Sequence, residues 1–176
     1  MVPLSRIHTI VIVALFAALI AAGALFALPI GTVPFSLQPV FIMLAGLCLG
    51  PRAGAVTVLL YLVAGAIGLP VFAGGKAGLG VLFGPTGGFL WGFVLTAAIA
   101  GLGGRFNTSI VRAVLALVAA NVVMYAAGVI GLMLALDLSF AKAFAAGVAP
   151  FVLGELVKTA LAFFAWRFMQ KRGLIR

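Results

Sequence analysis

Apolar residues run in long blocks separated by short clusters of glycine, proline and charge, and this pattern predicts a series of membrane helices. A spanning helix needs ~20 apolar residues to cross ~30 Å of hydrocarbon, fewer where it is short and shielded by neighbours. The first block runs from about Ile7 to Leu28 and stops at Pro29-Ile30-Gly31. The second, from about Ser36 to Leu49, carries Pro39 in its first turn, where proline is tolerated, and ends at Gly50-Pro51. The third runs from about Ala53 to Leu69 and stops at Pro70, so the second and third should form a tight hairpin around Gly50-Pro51-Arg52. Thr86 is the expected N-cap of a fourth helix, Gly87 to Leu102, closed by the run from Gly103 to Ser109. A fifth spans Val111 to Leu136, and Asp137 to Lys142 forms the next turn. The sixth spans Gly147 to Met169, with Pro150 in its first turn and a basic tail after it. The expected fold is an all-α membrane protein: a six-transmembrane-helix bundle, one integral membrane domain over residues 1–176, with no clear repeat between its halves. The first block also fits a secretory signal peptide. Because every later block is equally apolar, an uncleaved first membrane helix is the favoured reading.

Between the third and fourth helices lies LPVFAGGKAGLGVLFGPTGGFLWG, from Leu69 to Gly92. It is glycine-dense and too apolar for an ordinary solvated loop. Non-helical backbone among membrane helices is tolerated only where protein covers it or a cavity meets it, so this loop is expected to be a lid or wall.

Composition excludes the soluble alternatives. Of 176 residues 66% are hydrophobic and 7% charged, whereas a soluble domain carries about a quarter charged residues. Cys48 stands alone and His8 is the one histidine, which leaves no disulfide framework and no His/Cys metal site. The net charge of +9 is distributed between apolar blocks rather than gathered on one face, which argues against nucleic acid. With the N-terminus inside, the inner segments hold Arg6, Arg52, Arg105, Arg112, Arg167, Lys171, Arg172 and Arg176, and the outer ones only Lys76 and Lys142. That asymmetry predicts both termini in the cytoplasm and the glycine-rich loop facing outward.

Small residues mark packing faces. Gly46, Gly50 and Gly54 recur every four residues, as do Gly88 and Gly92, and such spacing lets helix backbones approach closely. For these glycines internal packing is the expectation. Ala14, Ala18 and Ala22 make the same ridge on the first helix, which has almost no polar residue and equally suits an external partner helix.

Candidate chemistry is sparse. Asp137 lies in an outer turn, but Glu155 falls inside the sixth helix, with Lys158 at i+3 on the same face. An ionisable group in a membrane helix costs ~2.5–3.5 kcal/mol on insertion scales and usually faces a cavity or a partner. The pair therefore reads as a polar recognition site, or else as a mutually neutralising couple that fixes packing. At 1.5 Å per residue, Glu155 sits roughly 12 Å below the outer surface if the helix begins near Gly147. Tyr125 reaches a similar depth on the fifth helix. Asn121, one turn away on the same face, suits either ligand contact or an interhelical hydrogen bond. Gln38, Thr57, Tyr61, Trp91 and Thr96 are weaker candidates, and Trp91 and Phe72 suit stacking on a ring system as well as packing. No enzyme is expected. His8 is too isolated to serve as a base, and Gly74-Gly75-Lys76-Ala77 lacks the phosphate-loop spacing, so the chain does not bind ATP by that device, and any active transport draws on a partner or a gradient.

Several stretches together resemble the BioY family, the biotin-binding S components of energy-coupling factor transporters. They are Leu44 to Leu47 and Gly50 to Gly54, then Gly68-Leu69-Pro70-Val71-Phe72-Ala73-Gly74-Gly75, then Gly84 to Gly88, and Pro150 to Glu155 with Lys158. The resemblance implies a six-helix vitamin-binding membrane protein that needs no cofactor. Its implied partners are biotin, membrane lipid, a transmembrane coupling (T) protein and a pair of cytoplasmic ATPases. With biotin as the ligand in view, the expected substrate contacts are Glu155, Lys158, Tyr125, Asn121, Phe72, Gly74, Gly75, Gln38 and Trp91, and the coupling protein is expected to dock on Ala14, Ala18 and Ala22. The family usually shows Asp where Glu155 stands, and Lys76 interrupts a stretch that is often purely glycine and small residues. Alternatives in view are an S component for thiamin or riboflavin, and a non-transport structural membrane subunit.

Overall fold

The computed structural model describes residues 4–104 and 109–174. Among the described residues seven helices follow one another: α1 Leu4–Leu25, α2 Gln38–Ala66, α3 Leu79–Leu82, α4 Gly87–Gly103, α5 Ile110–Leu136, α6 Phe140–Gly147 and α7 Val152–Lys171. Two isolated backbone bridges, Leu28 with Phe35 and Phe72 with Lys76, are the strand-like pairings among the described residues.

The α2 segment is a hairpin of two helical arms. Gly50 has φ 82° and ψ 176°, outside the helical region, and Pro51 starts the return arm with no N–H to satisfy. The arms then pack so closely that a Cβ on Gly54 would lie 2.8 Å from the Gly46 Cα. Gly46 and Gly54 are thus packing glycines, as the spacing suggests. Gly50 is not: nothing stands within 4 Å of its missing side chain, and its role is the left-handed turn.

Backbone proximity also fixes α4 and α5. A Cβ on Gly46 would collide with the Ala97 carbonyl, and one on Gly88 would meet the Gly131 Cα at 2.8 Å. Gly46→Val is therefore expected to lower stability by about 1–3 kcal/mol, the usual effect of overpacking. A thermal unfolding midpoint unchanged in detergent would contradict this packing.

Four elements differ from the sequence reading, the smallest being the single helical turn α3 inside the stretch expected to be non-helical. The first helix ends at Leu25 rather than Leu28, because residues 26–37 turn back through Gly31 (φ 64°) and the paired Leu28 and Phe35 backbones. The second half of the expected turn at Asp137 to Lys142 begins a helix of its own, α6, and the helix expected from Gly147 starts only at Val152 as α7, bent by 53° from α6. Pro150 accounts for the break: it has no N–H for the preceding turn, and α7 begins two residues later. Thr86 is the N-cap residue of α4 by position, but its side chain makes no capping bond. Its carbonyl accepts the Leu90 N–H at 3.2 Å instead.

By length and composition, α1 (from Ile7) and α5 can each cross a bilayer, α2 has the length of one crossing but is folded into two arms, and α6 with α7 supplies another crossing if the bent pair is one span; α4 is a shorter apolar helix. Among the described residues, thirty-eight large hydrophobic side chains are exposed, including Leu15, Val63, Leu115 and Phe164. So apolar an exterior is what lipid, not water, solvates.

Candidate functional site

A cavity of about 70 Å³ lies at one end of the bundle, where five pieces of chain meet. Phe35 and Ser36 of the α1–α2 connection, Gln38 at the start of α2, and Phe72, Ala73 and Lys76 of the glycine-rich loop line one side. Phe89 and Phe93 of α4, Tyr125 of α5, and Phe151, Glu155 and Lys158 line the other. Local sequence makes this arrangement. Missing side chains at Gly65, Gly128 and Gly154 leave room for the rings of Phe72, Phe89 and Phe35, each of which would collide with a Cβ there. Phe35 stacks on Phe151 at 6.3 Å, Phe72 meets Tyr61 edge-on at 5.5 Å, and Phe89 meets Tyr125 edge-on at 6.5 Å. The walls are therefore aromatic, and glycines hold the rings in place.

Its polar floor is the ion pair. Glu155 and Lys158 are each only 4% exposed, and Lys158 Nζ lies 2.5 Å from Glu155 Oε2. Lys158 also donates to the Ser36 carbonyl at 3.2 Å and sits 4.4 Å from the Phe35 ring centroid. Glu155 Oε1 and Tyr125 Oη, by contrast, are buried with no partner. Replacing a buried ion pair by apolar residues is often neutral or stabilising, so stability alone is a weak reason for this one. Free acceptor capacity beside a fixed cation is instead what a bound polar ring needs. Among the described residues lining the cavity, Lys76 is the one cation without a carboxylate beside it.

A buried polar chain ties the ion pair to the loop. The Ser36 hydroxyl donates to Gln38 Oε1 at 3.1 Å, Gln38 Nε2 donates to the Tyr61 hydroxyl, and Tyr61 donates to the Val71 carbonyl at 3.3 Å. The loop is held further by Phe72 N–H to the Lys76 carbonyl at 3.0 Å and Gly78 N–H to the Gly65 carbonyl at 2.7 Å. Gly74 and Gly75 both have φ above 70° and make the reversal between Phe72 and Lys76. Tyr61→Phe deletes the hydroxyl that joins α2 to this loop and should cost about 1 kcal/mol. Faster amide exchange confined to residues 71–78 would be its signature, and unaltered exchange there would count against the latch.

The structure brings Gln38, Phe72, Tyr125, Glu155 and Lys158 together around one cavity. Gly74 and Gly75 are exposed beyond its rim and shape the loop. Trp91 points away: it is 46% exposed, and its indole N–H donates to the Leu82 carbonyl at 3.3 Å. Asn121 lies outside this cavity and donates to Thr159 Oγ1 at 2.9 Å, the interhelical bond weighed above. Ala14, Ala18 and Ala22 are all exposed on α1. The sequence reading missed Phe35, Ser36, Phe89, Phe93 and Phe151 as lining residues. No local signal marks the first two, which depend on how residues 26–37 fold back. Gly154 and Gly128 are the indirect signal, since they create the sockets for Phe35 and Phe89.

The family model for BioY matches residues 1–173. This chain belongs to the BioY family. Among its relatives, the probable biotin transporter BioY of Pyrococcus horikoshii is 42% identical over 154 residues, covering 86% of this chain and 89% of that protein. The biotin transporter BioY of Thermotoga maritima is 41% identical over 148 residues, with 84% and 87% covered. Among solved structures, the crystal structure of the S component for biotin from an ECF-type ABC transporter superposes with a TM-score of 0.86 at 26% identity, over 97% of this chain and 95% of that one. The chain is thus an all-helical, multi-pass membrane protein of the BioY family.

Proposed function

We propose that this BioY protein captures biotin and acts as the substrate-binding S component of an ECF-type ABC transporter. The observation that carries the proposal is the buried Glu155–Lys158 pair with Glu155 Oε1 left free inside an aromatic cavity. Biotin's fused ureido ring offers N–H donors and a carbonyl acceptor, and its side chain ends in a carboxylate. Glu155 Oε1 accepts a ureido N–H, and Lys158 donates a remaining proton to the ureido carbonyl. Charge-assisted bonds in a dry cavity are roughly twice as strong as neutral ones, so two or three suffice for tight capture. Phe35, Phe72, Phe89 and Tyr125 cover the thiophane ring and the alkyl chain. Lys76, uncompensated at the rim, is placed to meet the carboxylate, which leaves Lys158 to the ureido group.

Six crossings are obtained when residues 38–49 and 51–66 count as two short spans, with α1, α4, α5 and the α6–α7 pair as the others. The basic residues then put both termini in the cytoplasm and the loop outside the cytoplasmic membrane. Biotin enters from outside, the loop from Leu69 to Thr86 closes over it, and the exposed alanine ridge of α1 docks on a coupling protein. ATP is hydrolysed by separate ATPase subunits, so this chain is no enzyme. Retention of radiolabelled biotin by the purified protein tests the substrate. Displacement by unlabelled biotin, but not by thiamin or riboflavin, is expected. Displacement by another vitamin would transfer the protein to that substrate, and no retention at all would favour a structural subunit.

A further inference from the structure

Next to the cavity just described, a groove of about 600 Å³ lies between α5 on one side and α6 and α7 on the other. Its walls are exposed aliphatic and aromatic side chains, among them Val122, Ile130, Phe144 and Leu156. Its base is polar: Asn121, Tyr125, Glu155 and Thr159. Among the described residues, four buried side-chain N or O atoms have no hydrogen-bond partner, and three of them, Asn121 Oδ1, Tyr125 Oη and Glu155 Oε1, belong to residues of this base. Tyr125 and Glu155 also line the biotin cavity, but Asn121 and Thr159 line the groove alone.

We propose that this groove is a second binding site, for a single-chain membrane amphiphile with an uncharged, hydrogen-bond-donating head group such as a monoacylglycerol. The physical case has three parts. An unpaired acceptor at hydrocarbon depth costs free energy that water is not there to relieve, and a donor head group relieves it. No lysine or arginine lines the groove, and the one carboxylate there already has Lys158 as its counter-ion, so nothing pairs with an anionic phosphate head. The Asn121–Thr159 bond joins α5 to α7 at the base of the groove, and α6 packs against α5 beside it, so the polar base is held by protein on both sides while the apolar walls stay open to an acyl chain. The head donates to Asn121 Oδ1, beside Tyr125 and Glu155, and the chain lies along Val122, Ile130 and Leu156.

The full-length protein in phosphatidylcholine nanodiscs, with a monoacylglycerol carrying a diazirine in its acyl chain, provides the test. Photolabel should concentrate on residues 118–133 and 148–159 and be displaced by unlabelled monoolein. Lysophosphatidic acid of the same chain length should displace it at least about tenfold less well, the equivalent of ~1.4 kcal/mol. Ala126→Trp, which fills the groove without touching the biotin cavity, should abolish the displaceable label. Asn121→Leu should weaken it about tenfold through the lost acceptor. Label spread evenly over all lipid-facing helices and indifferent to competitor, meaning annular lipid only, would overturn the site. Equal competition by lysophosphatidic acid would overturn the assignment of the head group. Biotin binding by Ala126→Trp in the same discs reads the other cavity separately, so the two proposals fail or succeed apart.

Discussion

Glu155→Gln should weaken biotin binding roughly thirty- to hundredfold, because it removes about 2–3 kcal/mol of charge-assisted hydrogen bonding to a ureido N–H. The substitution keeps the side chain's length and one acceptor oxygen, so the cavity keeps its shape. It also leaves Lys158 without its counter-ion, with only the Ser36 carbonyl and the Phe35 ring to hold it. Lys158→Ala is the more damaging partner change. It strands a carboxylate that is 4% exposed, and breaking a buried pair from one side typically costs 3–5 kcal/mol of stability. For this reason Glu155→Gln/Lys158→Met is the informative companion: with both charges gone, folding should recover while biotin affinity stays lost. Isothermal titration of the three variants beside thermal unfolding separates the two effects. Biotin affinity unchanged in a folded Glu155→Gln protein would remove this pair from recognition altogether.

The second large effect concerns α1. Ala14, Ala18 and Ala22 are exposed and form a smooth ridge, and α1 packs in the bundle chiefly against α2. Without a hydrophobic drive between helices in lipid, close approach over small side chains supplies the van der Waals contact that associates them. Ala18→Trp adds a bulky ring to that ridge without entering the core, since the inward positions are Val13, Phe16, Ala17 and Ile20. Co-purification with a coupling protein should fall at least about tenfold, the equivalent of ~1.4 kcal/mol. Biotin binding by the isolated chain should stay the same. A variant that keeps its partner, or that loses biotin instead, would show that the ridge is not the docking face.

Much of this architecture can be read in the residues, for definite physical reasons. Gly50-Pro51 punctuates an otherwise continuous apolar run, a glycine free to take positive φ followed by a residue with no N–H, and the structure turns back there. Glu155 and Lys158 stand out because charge in a membrane helix is costly, and their i+3 spacing is enough to predict the contact that the structure contains. Position along a helix is less legible than its face. Tyr125 and Asn121 lie one turn apart on α5, yet Tyr125 lines the aromatic cavity while Asn121 lies outside it and bonds Thr159 of α7. Trp91 illustrates the same limit. Its ring could stack inward or outward, and the nearby Leu82 carbonyl decides the matter by taking its N–H. Least legible is the α1–α2 connection. Residues 26–37 have no periodicity, but their fold carries Phe35 and Ser36 onto Lys158. The break at Pro150 is visible as a proline. What cannot be read is that the helix resumes at an angle, so that α6 lies beside α5 and bounds the groove.

Identification of the small molecule carried by the protein tests the central claim most directly. The chain is purified from cells without added vitamin, denatured, and its released ligands are measured by mass spectrometry. Biotin released from the native sequence, and absent from Glu155→Gln/Lys158→Met purified in the same way, is the predicted result. Release of a different vitamin from the native protein, or equal biotin from both proteins, would contradict recognition of biotin by the Glu155–Lys158 pair.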